Sequence, residues 1–306
     1  RELPPYFGTP EKPECHMLYG ASTMVNLWGA LATRDTRLLK HLMDEIHSLP
    51  ENCYFVNYLR CHDDIGWGLD EDYEKALMID PLSHKEYLYH FFEGVFPGSF
   101  ARGELYNYDP VSKDARSCGT TASLCGVEKG GFEDDRAQVA MGIQRVLLMH
   151  AACMSLEGFL MLSSGDEIGQ VNDYSYKENP DLAADSRYLH RSVFNWENAE
   201  RRTEEGTVQY GVWEGLKRLE KLRRENPCFG SKACVTTWDT GAMPVFAIRR
   251  TLGDQELVCL SNFSEWEQWS CLPTLCGEYE DVFTGESVDL QQVHLGAYQY
   301  RWCVRK

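Results

Sequence analysis

No stretch of the 306-residue sequence approaches the ~18–20 uninterrupted apolar residues that a membrane-spanning helix requires. The opening residues Arg1-Glu2-Leu3-Pro4-Pro5 also lack the apolar core of a secretory signal. Basic residues are scarce: 30 Lys and Arg stand against 47 Asp and Glu, a formal net charge of −17. Phosphate backbones are held by clustered Lys and Arg, so nucleic acid is disfavoured as a partner, and no membrane contact is expected. The twelve cysteines form no Cys-x-x-Cys pair and have no histidine at zinc-finger spacing. Cys53, Cys153, Cys259 and Cys303 sit inside apolar runs, the pattern of buried free thiols in a reducing cytoplasm; a Cys271–Cys276 disulfide is the alternative. There is no phosphate loop, dinucleotide fingerprint or metal-ligand cluster, so no cofactor is implied.

What is present suits a packed globular protein: 43% hydrophobic and 12% aromatic residues, in a length sufficient for one large domain with a smaller companion. Residues 15–22 read as a short strand. Leu27, Leu31, Leu38, Leu39 and Leu42 then recur at helical spacing and predict one long helix over 23–49, closed by Pro50. A second strand ends at His62-Asp63. From Asp64 to Gly131 the pattern turns loop-rich around one helix, 84–93, and an insertion of that length after a strand end reads as a lid over substrate. Helix 134–156, strand 159–162 and helix 208–225 follow, the last ended by Asn226-Pro227. After Gly230 only strand patterns remain, at 244–248, 256–260, 281–283 and 298–302, with a hairpin turn at Thr284-Gly285-Glu286. This tail predicts a small antiparallel β domain of roughly 75 residues, sandwich-like in kind.

The most telling segment is Phe55-Val56-Asn57-Tyr58-Leu59-Arg60-Cys61-His62-Asp63-Asp64-Ile65-Gly66-Trp67. A buried strand that delivers polar side chains at its C-terminal tip is how a (β/α) barrel builds an active site. The segment resembles the seventh-strand motif of the α-amylase clan, glycoside hydrolase family 13, and most closely the His-Asp-Asp-Ile-Gly-Trp version of amylosucrases and sucrose hydrolases. The resemblance continues, in order, through Gly98-Ser99-Phe100-Ala101-Arg102-Gly103, Arg116-Ser117-Cys118-Gly119-Thr120, Gly165-Asp166-Glu167 and Asp185-Ser186-Arg187. It implies an α/β fold with an all-β tail: the C-terminal part of a (β/α)8 TIM barrel. Strands six and seven would lie in 1–63, an inserted lid in 64–131, strand eight with its flanking helices in 132–229, and an antiparallel β-sandwich in 230–306.

Retaining glycoside cleavage needs two carboxyl groups about 5–5.5 Å apart, one as nucleophile and one as acid. The resemblance gives Asp63 a third role, gripping the sugar's hydroxyls and stabilising the transition state, with His62 on the same sugar. It places Asp64 and Arg116 around the neighbouring subsite and makes Arg187 a wall of the pocket, paired with an aspartate from an upstream segment. The ordinary alternatives are a backbone-satisfied core histidine for His62, a helix cap for Asp64 and surface ion pairs for the two arginines. Trp67, Tyr108 and Trp196 read as core aromatics before sugar platforms, and Asp166-Glu167 as a structural element of the barrel mouth.

The nucleophile motif Arg-x-Asp does not occur upstream of Asp63, and the fifth-strand glutamate is missing; Glu2 lacks the strand context, and Tyr6-Phe7-Gly8 resembles the stretch just beyond that glutamate. The expectation is therefore the C-terminal portion of a sucrose-acting retaining glucosyltransferase or hydrolase, inactive alone. Its partners would be sucrose or an α-glucan, together with an N-terminal barrel half on another polypeptide or a second copy of the chain. The competing readings are a non-catalytic carbohydrate-binding or assembly module and a truncated product without function.

Overall fold

The computed structural model of the chain describes residues 4–9, 11–46 and 53–306; Glu2 and Pro50 lie outside the described residues. Contacts divide the chain into two units that interleave along the sequence: residues 1–58, 150–161 and 219–306 form the first, and 59–149 with 162–218 the second.

The first unit contains a three-stranded parallel sheet, with Tyr54–Tyr58 between Met17–Tyr19 and Phe159–Met161. Parallel pairing requires a crossover between strands, and the crossover from the first to the second strand is helical. One long helix was expected there; two are found, Ala21–Thr33 and Arg37–Ile46. The break has a local cause. Arg34 takes the left-handed conformation at φ 59°, and the Asp35 carboxylate accepts the Arg37 N–H at 3.0 Å, ending one helix and starting the next. Arg34 then reaches both oxygens of Glu265 at 2.9 Å, and the Thr36 N–H donates to the Met243 carbonyl at 3.0 Å. The first helix is buried along nearly its whole length, including Leu27, Trp28 and Leu31.

The central strand carries a buried polar residue, Asn57, whose amide donates to the Glu157 carbonyl at 2.7 Å and so ties the turn before Phe159 alongside it. Gly158 makes that turn possible: its φ is +109°, and a Cβ there would lie 2.2 Å from the Phe55 carbonyl oxygen. Each outer strand has one neighbour among the described residues, and these strands expose Met17, Tyr19 and Phe159.

The tail forms a six-stranded antiparallel sheet in the order Ser287–Val288, Tyr279–Asp281, Tyr300–Arg305, Gln255–Asn262, Val245–Leu252, Cys234–Trp238. Opposite it stands a two-stranded ribbon, Gln268–Ser270 with Val293–Leu295. Val258, Leu260 and Cys303 from the sheet pack with Val293 and Leu295 from the ribbon and with Leu272, Leu275 and Leu290 from its loops, so the sandwich is lopsided. The expected turn is there, with Gly285 at φ 74° between Tyr279–Asp281 and Ser287–Val288.

In the second unit, residues 64–131 are more regular than expected. They hold helices Glu71–Ala76 and Pro81–Glu93, capped by the carboxylates of Asp70 and Asp80. They also hold a three-stranded antiparallel sheet with Asp114–Cys118 between Ile65–Gly66 and Glu104–Asp109. Two short helices, Thr121–Leu124 and Val127–Phe132, complete the stretch. Trp67 is core, stacked on Phe92 at 5.4 Å, whereas Tyr108 and Trp196 are exposed. All twelve cysteines are free; Cys271 and Cys276 are exposed, and burial pushes the Cys118 thiol up to about 12. Among the described residues no helix is long and apolar enough to cross a membrane.

Replacing Gly158 with alanine should destabilise the chain by at least about 2 kcal/mol, because left-handed strain adds to the clash with a backbone oxygen. Urea denaturation of Gly158→Ala beside the unsubstituted chain checks this; an unchanged midpoint would contradict the geometry.

Candidate functional site

The chain leaves Tyr54–Tyr58 through Leu59-Arg60-Cys61 and reaches His62-Asp63-Asp64 before pairing Ile65 with Ser117 and Gly66 with Arg116. That pairing sets Arg116 beside Asp64, with Nη1 to Oδ2 at 3.5 Å. Asp63 receives Arg187, Nη1 to Oδ1 at 3.4 Å, from the 3-10 turn Ser186–His190. Four of the five residues singled out in the sequence thus meet through direct ion pairs. His62 is joined to them by its backbone: its carbonyl accepts Arg191 Nε at 2.5 Å, while its imidazole is exposed and makes no hydrogen bond among the described residues. Asp64 does not cap a helix, since that role falls to Asp70.

Arg187 has a partner two residues away in sequence. Asp185 takes Arg187 in a two-pronged contact, Nε to Oδ1 and Nη2 to Oδ2, both at 2.8 Å, and also accepts the Arg187 N–H at 3.0 Å. The Arg187 guanidinium lies 4.4 Å from the centre of the Tyr106 ring. Arg191 approaches the same Asp185 at 3.8 Å. With two short planar contacts and a ring beneath it, Arg187 is held as a fixed donor rather than a swinging surface side chain.

Beneath these residues lies Arg60, 1% exposed. Its Nε donates to the Gly119 carbonyl at 2.9 Å, and its Nη2 donates to the Asp63 carbonyl at 2.7 Å and lies 3.2 Å from His190 Nε2. A guanidinium can only donate, so His190 Nε2 accepts and its proton sits on Nδ1. Burial first, then the charges of Arg60 and Arg191, drives the His190 pKa down to about 3, which keeps the ring neutral. Arg60, Asp185, His190, Arg191 and Tyr106 were not assigned roles from sequence. Only Asp185, two residues before Arg187, carried a local signal.

The adjacent acids differ. Partial burial works against ionisation of Asp63, but hydrogen bonds from the Asp64 side chain and N–H and from Arg187 outweigh it and hold its pKa below the usual carboxylate range. Burial of Asp64, followed by the hydrogen bond and charge of Asp63, raises its pKa, with Arg116 only partly offsetting the rise. Asp63 is therefore an ionised, half-exposed acceptor able to take hydrogen bonds from two neighbouring hydroxyls, flanked by guanidinium donors for hydroxyl oxygens. By linkage, the ionised Asp63 contributes stability above the ordinary carboxylate pKa and loses it as pH falls through its lowered value. The raised Asp64 has the opposite sign: its contribution is present at low pH and lost as pH rises through its folded value.

Carboxyl carbon chemical shifts followed from about pH 2 to 7 should give two separated midpoints, the lower on Asp63 and the higher on Asp64. In Arg187→Ala the Asp63 midpoint should rise, with a smaller change at Asp64. Coincident midpoints in the unsubstituted chain would contradict the assignment.

No known protein-family profile matches the sequence. Solved structures of α-amylase-family enzymes do share its fold. An AmyP variant in complex with maltotriose aligns at TM-score 0.60 and 12% identity, over 98% of this chain and 52% of AmyP. Sucrose 6F-phosphate phosphorylase from Thermoanaerobacter thermosaccharolyticum aligns at 0.58 and 15%, over 89% and 47%. The α-amylase from H. orenii aligns at 0.53 and 13%, over 99% and 51%. The chain spans about half the length of these structures. The fold is that of part of an α-amylase-type barrel with its β domain.

Proposed function

We propose that these residues are the C-terminal portion of a retaining α-glucosyltransferase or glycoside hydrolase of amylosucrase type, acting on sucrose or an α-glucan. The observation that carries this reading is the joined pair of contacts Arg187–Asp63 and Arg116–Asp64, immediately beyond the end of a parallel strand. In the reaction, Asp63 would accept hydrogen bonds from two hydroxyls of the glucosyl ring, bonds that tighten as positive charge develops on the ring. His62 would bind the same ring through its exposed imidazole. Asp64 and Arg116 would face the neighbouring unit, fructosyl or glucosyl. Arg187, locked by Asp185, would close the glucosyl pocket. The nucleophile and the proton donor would come from barrel strands beyond these residues, on a further segment or another polypeptide, so the chain alone would bind sugar without cleaving it.

That division of labour is supported by the open parallel sheet, whose outer strands expose Met17, Tyr19 and Phe159. Parallel sheets are ordinarily covered on both faces and paired at their edges.

The purified chain should release no fructose from sucrose. Calorimetric titration should show weak binding of sucrose or maltose, on the order of millimolar, weakened by Arg187→Ala roughly tenfold. Fructose release that Asp63→Asn abolishes would overturn the incomplete-site reading, and flat titrations would count against a sugar site.

A further inference from the structure

Three consecutive residues of the strand Glu104–Asp109 hold the segment that carries Arg187. The Glu104 carboxylate takes the Tyr176 hydroxyl and the Lys177 ammonium. The Leu105 carbonyl accepts the Ser186 hydroxyl at 2.7 Å, and the Tyr106 ring lies under the Arg187 guanidinium at 4.4 Å. The first two contacts fasten the segment; the third touches a member of the Asp63 group itself.

Tyr106 also neighbours the second arginine. It is the cross-strand partner of Arg116 in the antiparallel pairing with Asp114–Cys118. Directly opposed residues point to one face of a sheet, with Cβ atoms about 5 Å apart. The residue opposing Arg116 from the other side is Gly66, which has no side chain, and a Cβ there would meet nothing within 4 Å. Within this sheet the flank of Arg116 is therefore supplied by Tyr106. Just beyond, the register slips: the next pair is Asp109 with Asp114, and Asn107 takes φ 51°. A bulge of this kind bends its strand and re-aims the side chains beside it. The Tyr106 ring is half-buried and packs against the cluster of Cys118, Tyr176 and Leu189.

The ring supplies a constraint that the acids do not. Asp185 grips Arg187 through Nε and Nη2, which fixes the guanidinium within its own plane. A planar contact resists displacement perpendicular to that plane only weakly, and Nη1, the end that reaches Asp63 at 3.4 Å, is left outside it. A ring face beneath the cation opposes that displacement. We propose that Tyr106 is a positioning residue of this site: its ring sets the height at which Arg187 meets Asp63 and, beside Arg116, keeps the two ion pairs at a fixed separation. The inference rests on the function proposed above for its chemical meaning, whereas its geometry and its test involve no sugar.

The test compares Tyr106→Phe and Tyr106→Leu in the full chain, reading the carboxyl carbon titration of Asp63 and the Arg187 Nε–H resonance. Tyr106→Phe keeps the ring and should leave the Asp63 midpoint in place. Tyr106→Leu should raise it by roughly a few tenths of a pH unit. That rise should disappear in an Arg187→Ala background, where the ring has no cation to hold. In the unsubstituted chain the ring should shift the Arg187 Nε–H proton upfield, a measurement that needs no variant and decides the matter if Tyr106→Leu does not fold. An Asp63 midpoint unmoved by Tyr106→Leu, an equal rise in Tyr106→Phe, or a rise that persists in Arg187→Ala would overturn the assignment, as would an Arg187 proton free of any ring shift. Flat sugar titrations would count against the proposed function and leave this inference standing.

Discussion

The candidate site depends on a single buried cation. Arg60 follows the central barrel strand by two residues and is almost wholly removed from water. An isolated charge in that position would cost several kcal/mol; fixed oxygen and nitrogen lone pairs replace the water at Nε and Nη2, while Nη1 is buried without a partner among the described residues. The groups it engages, the carbonyls of Gly119 and Asp63 and the ring of His190, belong to three stretches far apart in sequence. One guanidinium therefore fixes the bend that carries His62-Asp63-Asp64, the end of the hairpin bearing Arg116, and the turn that presents Arg187. Burial lowers the Arg60 pKa, and burial followed by the Arg60 charge drives that of His190 down to about 3, so the ring stays neutral near neutral pH.

Arginine on backbone carbonyls recurs elsewhere. Arg145 donates to the Cys125 carbonyl at 3.0 Å and lies 3.8 Å from the centre of the Phe100 ring. In the first unit, Arg223 reaches the carbonyls of Met154 and Gly158, and Arg250 those of Ser155 and Cys228. Met154 and Ser155 end a twenty-residue helix, whose last carbonyls have no partner within the helix and sit at its negative pole. Cations there satisfy both needs at once. The chain is strongly acidic overall, yet four of its nineteen arginines, Arg60, Arg145, Arg223 and Arg250, spend their donors on backbone carbonyls.

What the sequence disclosed and what it withheld divide along locality. The helix near 208–225 and the long strands of the tail were legible because each carries its own period or breaker, and so was the strand before His62-Asp63, although it ends at Tyr58 rather than at His62-Asp63. The break at Arg34-Asp35 was legible in principle, since aspartate two residues before Arg37 is a capping signal, but the leucine spacing on either side masked it. Asp70 likewise announced the helix Glu71–Ala76 in a stretch that read as loop, and Asp80-Pro81 the true start of the helix expected at 84–93. Short strands such as Ser287–Val288 have too few residues for any pattern to show. Arg60 and His190 were illegible for a different reason: their roles exist only once residues 60, 119 and 190 meet.

Asp63 and Asp64 show why that meeting matters for chemistry. Two neighbouring carboxyls on an exposed loop would titrate almost alike, each repelling the other's ionised form. Here the Arg60 contact to the Asp63 carbonyl and the strand pairing of Ile65 with Ser117 hold them in unlike surroundings: Asp64 buried beside a half-exposed Arg116, Asp63 half-exposed beside Arg187. The like-charge repulsion is resolved in one direction, with Asp63 losing its proton more readily than an ordinary carboxyl and Asp64 less readily. Of the two, Asp63 is thus the readier acceptor for ligand hydroxyls, while Asp64 holds its proton to higher pH beside Arg116. The backbone contacts thus assign different work to two chemically identical side chains.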